Sequence, residues 1–383
     1  MKIEIFTPVS YYGPVDIHTW PTAPRCYDPA LGMDSIRKGL EQCAAAHEAG
    51  FDSLNFAEHH YSAAQLSPDP VTYAGILGQQ LPEATISVLG TDLPLHNPVR
   101  VAESYAMLDN VLGGRLRSIG LLRGTPNEYL TYRTNPWTSR EAFAEAVELV
   151  IRAMTEPEPF GWEGRHYRYR NISIWPRPVQ RPHPRILLSG NSAASARLAA
   201  ALRCDIGFSF MSPDKCAENA AVYRAAAALA GWEPGPDNIL YRHFVYLAAT
   251  DEEARQHVEA HGWPGRGNLM TSRNPEMAGV MTTIAAAMAG VPAGAVPAGA
   301  VPAGAVPAGD SGRAGAPSMA PPIVGGPQTV LRQIGRVREI IGAGRMEIIM
   351  IGGERLPHEM VVASLKLMGE TLVPALHADT FAL

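Results

Sequence analysis

Three short stretches place side chains suited to chemistry just past an apolar run. Glu58-His59-His60 follows FDSLNFA. Imidazole takes up or gives a proton near neutral pH, so such a pair suits a reacting centre that changes charge. The same residues would serve equally as packed histidines hydrogen-bonded to their neighbours. Arg123-Gly124 follows RLRSIGLL. An arginine there presents a fixed cation to a phosphate, and Gly124 lets the backbone turn or approach closely. The competing role is an ion pair with a barrel carboxylate. Ser189-Gly190-Asn191-Ser192 ends the run RILLS, with Ser195 three residues further on. Hydroxyls beside free amide N–H groups at a helix start make an anion cradle. Ser192 can cap that helix whether or not an anion binds.

Other chemistries find less support. There is no HExxH helix, and neither His47-Glu48 nor His183 supplies metal-ligand spacing, so no metal site is expected. Walker A and G-x-S-x-G sequences are absent, and Cys26, Cys43, Cys204 and Cys216 form no CxxC pair. Tyr11, Tyr12, Trp20 and Tyr27, with Tyr129, Tyr132 and Trp137, offer either an apolar pocket lining with polar handles or packing for their own loops. The Arg/Tyr run after Gly161-Trp162-Glu163-Gly164 is one short basic stretch in an acidic chain, and no nucleic acid is expected to bind.

The elements that must hold these residues alternate. Strand candidates occur at 2–7, 51–57, 84–90, 115–122, 185–189, 205–210, 238–248 and 346–351. Between them the pattern predicts helices over 34–49, 68–80, 98–112, 138–154, 192–202, 213–230, 251–261, 327–342 and 357–369. Thr138 with Glu141 reads as a capping box. Residues 160–181 alternate polar and apolar and form an excursion outside the repeat. Eight strand–helix units ending on a helix fit a (β/α)8 TIM barrel, and chemistry on that fold gathers in the loops after the strands. A doubly wound sheet would more often carry a glycine-rich phosphate turn after its first strand; TPVSYYGP is not one. Residues 1–383 therefore read as a single barrel domain, interrupted after strand 7 by a Gly/Ala/Pro-rich insertion at 264–323. Within it, VPAGA three times and VPAGD once span Val291–Asp310, a composition that buries little area and breaks helix and interior strand.

Composition agrees with one large domain. The 383 residues include 32 Lys+Arg against 37 Asp+Glu, a net charge of −5 that lacks a nucleic-acid footprint. Charged residues make up 18%, below the roughly 25% of an average soluble domain. The 46% apolar fraction supplies a sizeable core. No apolar run approaches a membrane helix and MKIEIFTPVSYYGP does not read as an export signal, so no membrane partner and a cytoplasmic location are expected. Scattered cysteines suit reduced thiols.

Taken in order, GFDSLNFAEHH, LPLHNPVRVAESYAMLDNVLGGRLRSIGLLRG, SREAFAEAVELVI, EGRHYRYRNISIWPRPVQRPHPRILLSGNSAASARLAA and RLPHEMVVASLKLMGETLVPAL closely resemble the bacterial-luciferase-like flavin-dependent monooxygenase family, over most of 1–250 and 322–380. The resemblance implies a luciferase-like barrel that binds reduced FMN (FMNH2) and reacts it with O2 through a C4a-(hydro)peroxyflavin to oxygenate an apolar or aromatic organic substrate, such as a secondary metabolite. It implies His59 as the catalytic residue managing protons, with Glu58 and His60 in support. It also implies Arg123, Ser192, Ser195, Asn191 and Gly190 at the flavin phosphate. A separate NAD(P)H-dependent flavin reductase as FMNH2 source and a homodimer follow from the same resemblance. Leu122 stands where bacterial luciferase has a reactive cysteine, and Asn191 where the family has an acidic residue, so light emission is not implied. The insertion takes the place of the family's lid. Two alternatives stay open at this point: a deazaflavin-dependent hydride-transfer oxidoreductase and a non-catalytic flavin-binding subunit.

Overall fold

Eight parallel strands pair edge to edge and close on themselves. The computed structural model describes residues 1–15, 20–132, 134–261, 275–292, 320–350 and 356–378. Its strands are β1 (Lys2–Phe6), β2 (Ser53–Phe56), β3 (Ile86–Asp92), β4 (Leu116–Leu122), β5 (Phe160–Glu163), β6 (Arg168–Ile172), β7 (Arg185–Ser189), β8 (Asp205–Ser209), β9 (Ile239–Leu247), β10 (Ile323–Gly325) and β11 (Arg345–Met350). The barrel order is β1-β2-β3-β4-β7-β8-β9-β11, and β11 returns to pair β1. All eight strand candidates are barrel strands. The 160–181 excursion contains an antiparallel hairpin, β5 with β6, outside the barrel. Short β10 pairs the end of β9.

The helices are α1 (Pro29–Glu48), α2 (Pro70–Gln80), α3 (Pro98–Val111), α4 (Pro126–Tyr132), α5 (Ser139–Thr155), α6 (Ala193–Ala201), α7 (Pro213–Leu229), α8 (Asp251–His261), α9 (Pro275–Met288), α10 (Pro327–Ile341) and α11 (His358–Ala378). Asp28, Asp69 and Asn97 each cap a helix that opens on proline, their side chains accepting from the first free amides. The Asp28-Pro29 start lies outside the apolar stripe that begins at Ile36, so α1 opens five residues before the pattern predicts. The expected capping box at Thr138 is not formed. Thr138 already has helical ψ and makes no side-chain cap, while Glu141 pairs with Arg165 of the hairpin turn. Within the insertion, 275–288 is helical where composition suggested no element; positions 293–319, which hold nearly all of the pentads, lie outside the described residues.

Strands buried on both faces put one face against the helices and the other inside the barrel. The inner face is polar in its lower part. Arg345, wholly buried, donates to Glu4 at 2.6 Å, to Asp205 at 3.1 Å and to Ser118 at 3.0 Å. Asn55 bridges Glu4 and Glu347, and Arg242 pairs with Glu347. Each buried charge thus has a partner, which is the condition for keeping it there. Above this network the interior turns apolar: Phe6, Ala57 and Ile349 cluster at the strand ends, with Phe210 and Phe244 packed against them.

Candidate active site

The two histidines after β2 have different surroundings. His60 is buried, its Nε2 lying 2.8 Å from Glu58 Oε1 and its Nδ1 3.0 Å from the Tyr132 hydroxyl. Glu58 Oε1 also meets His96 Nε2 at 2.7 Å, and Oε2 accepts the amide of Asp92 at 3.1 Å. Burial opposes ionisation of Glu58, yet the two histidines and the amide hold its carboxyl below its ordinary range. Burial likewise opposes charge on His96, and Glu58 more than offsets it, raising the imidazole. His60 is therefore a fully satisfied packing residue. His59 faces elsewhere: its Nδ1 lies 3.2 Å from Glu128 Oε1, and Nε2 has no partner among the described residues. Its side chain keeps 16% of its surface exposed, while Glu128 is sealed at 0%.

Arg123 stands at the end of β4, two positions past Leu121, which pairs Leu188 of β7. Gly190 lies two positions past Leu188, so the arginine and the serine turn sit side by side on the rim, a strand spacing of about 5 Å apart. Among the described residues Arg123 has no carboxylate partner. Its Nη1 donates to the Ser139 hydroxyl at 3.5 Å and to the carbonyl of Met288, the last residue of α9, at 3.2 Å. Arg140 of α5 donates to the same carbonyl at 3.5 Å. Burial and, next, the like charge of Arg140 depress the Arg123 guanidinium. Two cations with no carboxylate partner among the described residues share one carbonyl, a site that an anion would relieve.

Across the strand gap, Ser192 caps α6, its Oγ accepting from the Ser195 amide at 3.2 Å and lying 3.0 Å from the Ser195 Oγ. Gly190 is required by this approach: a Cβ there would sit 2.4 Å from Ser195 Oγ and 2.5 Å from its Cβ. Asn191 acts differently. Its Nδ2 donates to Ser209 O at 2.8 Å and its Oδ1 accepts from Ser209 N at 2.9 Å, clamping the ends of β7 and β8. An Asn makes both bonds; a carboxylate could make only the second.

The aromatic loop residues divide. Trp20 is buried with its indole donating to the His60 carbonyl, Tyr11 stacks on Tyr27 at 5.4 Å, and Tyr12 accepts from Gln42: these four pack the first loop. Phe210 and Phe244 stack at 4.8 Å over the barrel mouth, giving it an apolar wall beside the polar rim. Glu128, Asp92, His96 and Arg140 belong to the same rim and were not singled out from the sequence. Glu128 and Arg140 follow Arg123 by five and seventeen residues. The short helix α4 and the start of α5 bring both to the same rim. Among the described residues, no group of three or more His, Cys, Asp or Glu is arranged to hold a metal ion.

The residues fit a flavin mononucleotide: a cationic pair and a capped helix start for a phosphate, and an aromatic mouth for a ring. The described fold also matches solved structures over nearly the whole chain. It superposes on monooxygenase RslO1 from Streptomyces bottropensis with TM-score 0.72 at 24% identity, covering 98% of this chain and 99% of that one. It superposes on the oxygenating constituent of 3,6-diketocamphane monooxygenase from Pseudomonas putida, in complex with FMN, with TM-score 0.69 at 20% identity, covering 98% of each. Among curated proteins, the alkanal monooxygenase alpha chain of Photorhabdus luminescens is 26% identical over 174 residues, 45% of this chain and 48% of that one. The FMNH2-dependent dimethylsulfone monooxygenase of Pseudomonas putida is 27% identical over 162 residues, 42% and 44% of the two chains. The chain spans about half the length of these curated relatives. The family described as luciferase-like monooxygenase matches residues 7–343, and the chain belongs to that family.

Proposed function

We propose that this protein is an FMN-dependent monooxygenase that receives reduced FMN and uses O2 to oxygenate an apolar or aromatic organic molecule. The observation that carries the reading is the rim itself: Arg123 and Arg140, without a carboxylate partner among the described residues, beside the Ser192–Ser195 helix start, with His59 and the Phe210–Phe244 stack on the same barrel mouth. Reduced flavin supplies the oxygen-activating chemistry. The chain's residues would do the rest. Arg123, Arg140, Ser192 and Ser195 would hold the phosphate; Gly190 keeps Ser195 close enough to serve, and Asn191 fixes the two strand ends. Phe6, Phe210, Phe244 and Ile349 would exclude water from the ring and favour an apolar substrate. His59, with Nε2 free, would hold or move a proton at the reacting centre.

A separate NAD(P)H-dependent flavin reductase would deliver the reduced cofactor, and the protein would work as a cytoplasmic homodimer. No helix among the described residues is long and apolar enough to cross a membrane.

Binding of FMN compared with riboflavin tests the phosphate site. A charge-assisted hydrogen bond contributes about 1.5–3 kcal/mol, so Arg123→Ala is expected to weaken reduced-FMN binding roughly 10- to 100-fold and leave riboflavin binding unchanged. Equal weakening of both would argue against a phosphate contact at Arg123.

A further inference from the structure

A third carboxyl lies behind His59 and has no role in the reading above. Asp92 ends β3 and is 2% exposed, and the Glu128 carboxyl acts on it. Its Oδ2 has no donor among the described residues, and Gly124 (φ +79°) closes over it: a Cβ at 124 would lie 3.2 Å from Asp92 Cγ and 3.3 Å from Oδ2. The charged groups acting on it are Glu128 from α4 and Glu58 from the end of β2, both acidic. Glu58 has His60 and His96 for its own charge. Tyr129 also faces the pair, with Arg123 beyond it. An ionised carboxylate would not persist there, since burial and two like charges oppose it and no cation among the described residues offsets them.

Glu128 is the opposite case. Its Oε2 accepts from the Thr125 amide at 2.8 Å and the Thr125 hydroxyl at 2.7 Å, and its Oε1 faces His59 Nδ1. Such a set of donors stabilises the anion. Because an anionic carboxylate only accepts, the His59 Nδ1 must carry the hydrogen.

We propose that Asp92 and Glu128 form a carboxyl pair sharing one proton behind His59, in which neutral Asp92 donates to anionic Glu128 and Glu128 fixes the Nδ1–H tautomer of His59, reserving Nε2 to accept a proton. Glu128 and Asp92 are positioning residues; His59 is the group that meets the reacting centre, a role that rests on the proposed function. When Nε2 takes a proton, the imidazolium that forms is countered by Glu128, and Asp92 keeps its own proton. The physical tendencies agree. Burial and the Glu128 charge push Asp92 well above the usual carboxylate range. Burial of Glu128 is outweighed by His59, Asp92 and Thr125, which bring its carboxyl down to about 2.

The test needs no flavin. In nitrogen-15-labelled protein without cofactor, His59 is expected as the Nδ1–H tautomer. The infrared spectrum at pH 7 is expected to show the carbonyl stretch of a neutral carboxylic acid that disappears in Asp92→Asn and survives in His59→Ala. Glu128→Gln, whose amide can donate as well as accept, is expected to let the Nε2–H tautomer of His59 appear. Asp92→Asn, whose amide still donates to Glu128, is expected to leave the Nδ1–H tautomer in place. A wild-type His59 carrying its hydrogen on Nε2, no neutral-acid band at pH 7, or loss of the Nδ1–H tautomer in Asp92→Asn would overturn the proposal. Should Glu128→Gln not fold, the wild-type tautomer and the infrared band still decide. An intact pair in a protein that does not react with reduced FMN and O2 would overturn the functional reading and leave this inference standing.

Discussion

Adjacent residues in one loop can be set to different tasks by which acid they meet. His60 spends both nitrogens on Glu58 and Tyr132, whereas His59 spends one on Glu128 and keeps the other. The same logic separates the acids. Glu58 and Glu128 are held ionised by donors, so they stabilise the fold above the roughly 4.3 of an unfolded glutamate and lose that contribution as pH falls, for Glu128 through about 2. Asp92 has the reverse sign. It stays neutral in the fold while the unfolded chain ionises above about 3.9, so it costs stability above that pH and none below it. Asp92→Asn is therefore expected to raise the urea midpoint at pH 7 and leave it unchanged at pH 3.5. A lower midpoint at pH 7 would show that Asp92 is ionised. The sequence marks the Glu58-His59-His60 triplet but cannot assign partners within it, because Glu128 and His96 arrive from separate loops. Arg123 was legible as a cation on a strand end. That it lacks a carboxylate became visible only with its neighbours in place.

At the scale of elements, the strand ends do the positioning. Parallel pairing of Leu121 with Leu188 sets Arg123 beside Gly190, and the Ser192 cap turns the next amides towards the same spot. Gly190→Ala would drive a methyl group into Ser195, whose Cβ cannot rotate away. Overpacking of this kind costs about 1–3 kcal/mol. We expect lower thermal stability together with weaker reduced-FMN binding; unchanged binding with full stability would remove Ser195 from the phosphate site. The eight strands were readable because both of their faces are buried and apolar runs mark them. Short α4 was not, since seven residues give too little period, and its absence hid Glu128. Helix α9 was hidden by its Ala- and Met-rich composition, yet its final carbonyl lies on Arg123 and Arg140. A phosphate arriving there would meet that carbonyl first.

The whole molecule is a closed barrel with a paired ionic interior below and an apolar, aromatic mouth above, and the rim residues of β2, β4 and β7 converge on that mouth. Its low charge and high Gly and Pro content reflect in part the insertion, so average composition said less about the barrel than the order of its strands did. On the proposed function, that mouth would hold reduced FMN and exclude water from it. The most direct test is to mix the protein loaded with stoichiometric reduced FMN rapidly with O2 and follow the absorbance. The account predicts a transient species preceding oxidised FMN, shortened at least tenfold in lifetime by His59→Ala. Direct appearance of oxidised FMN at the rate of free flavin, with no transient, would contradict it.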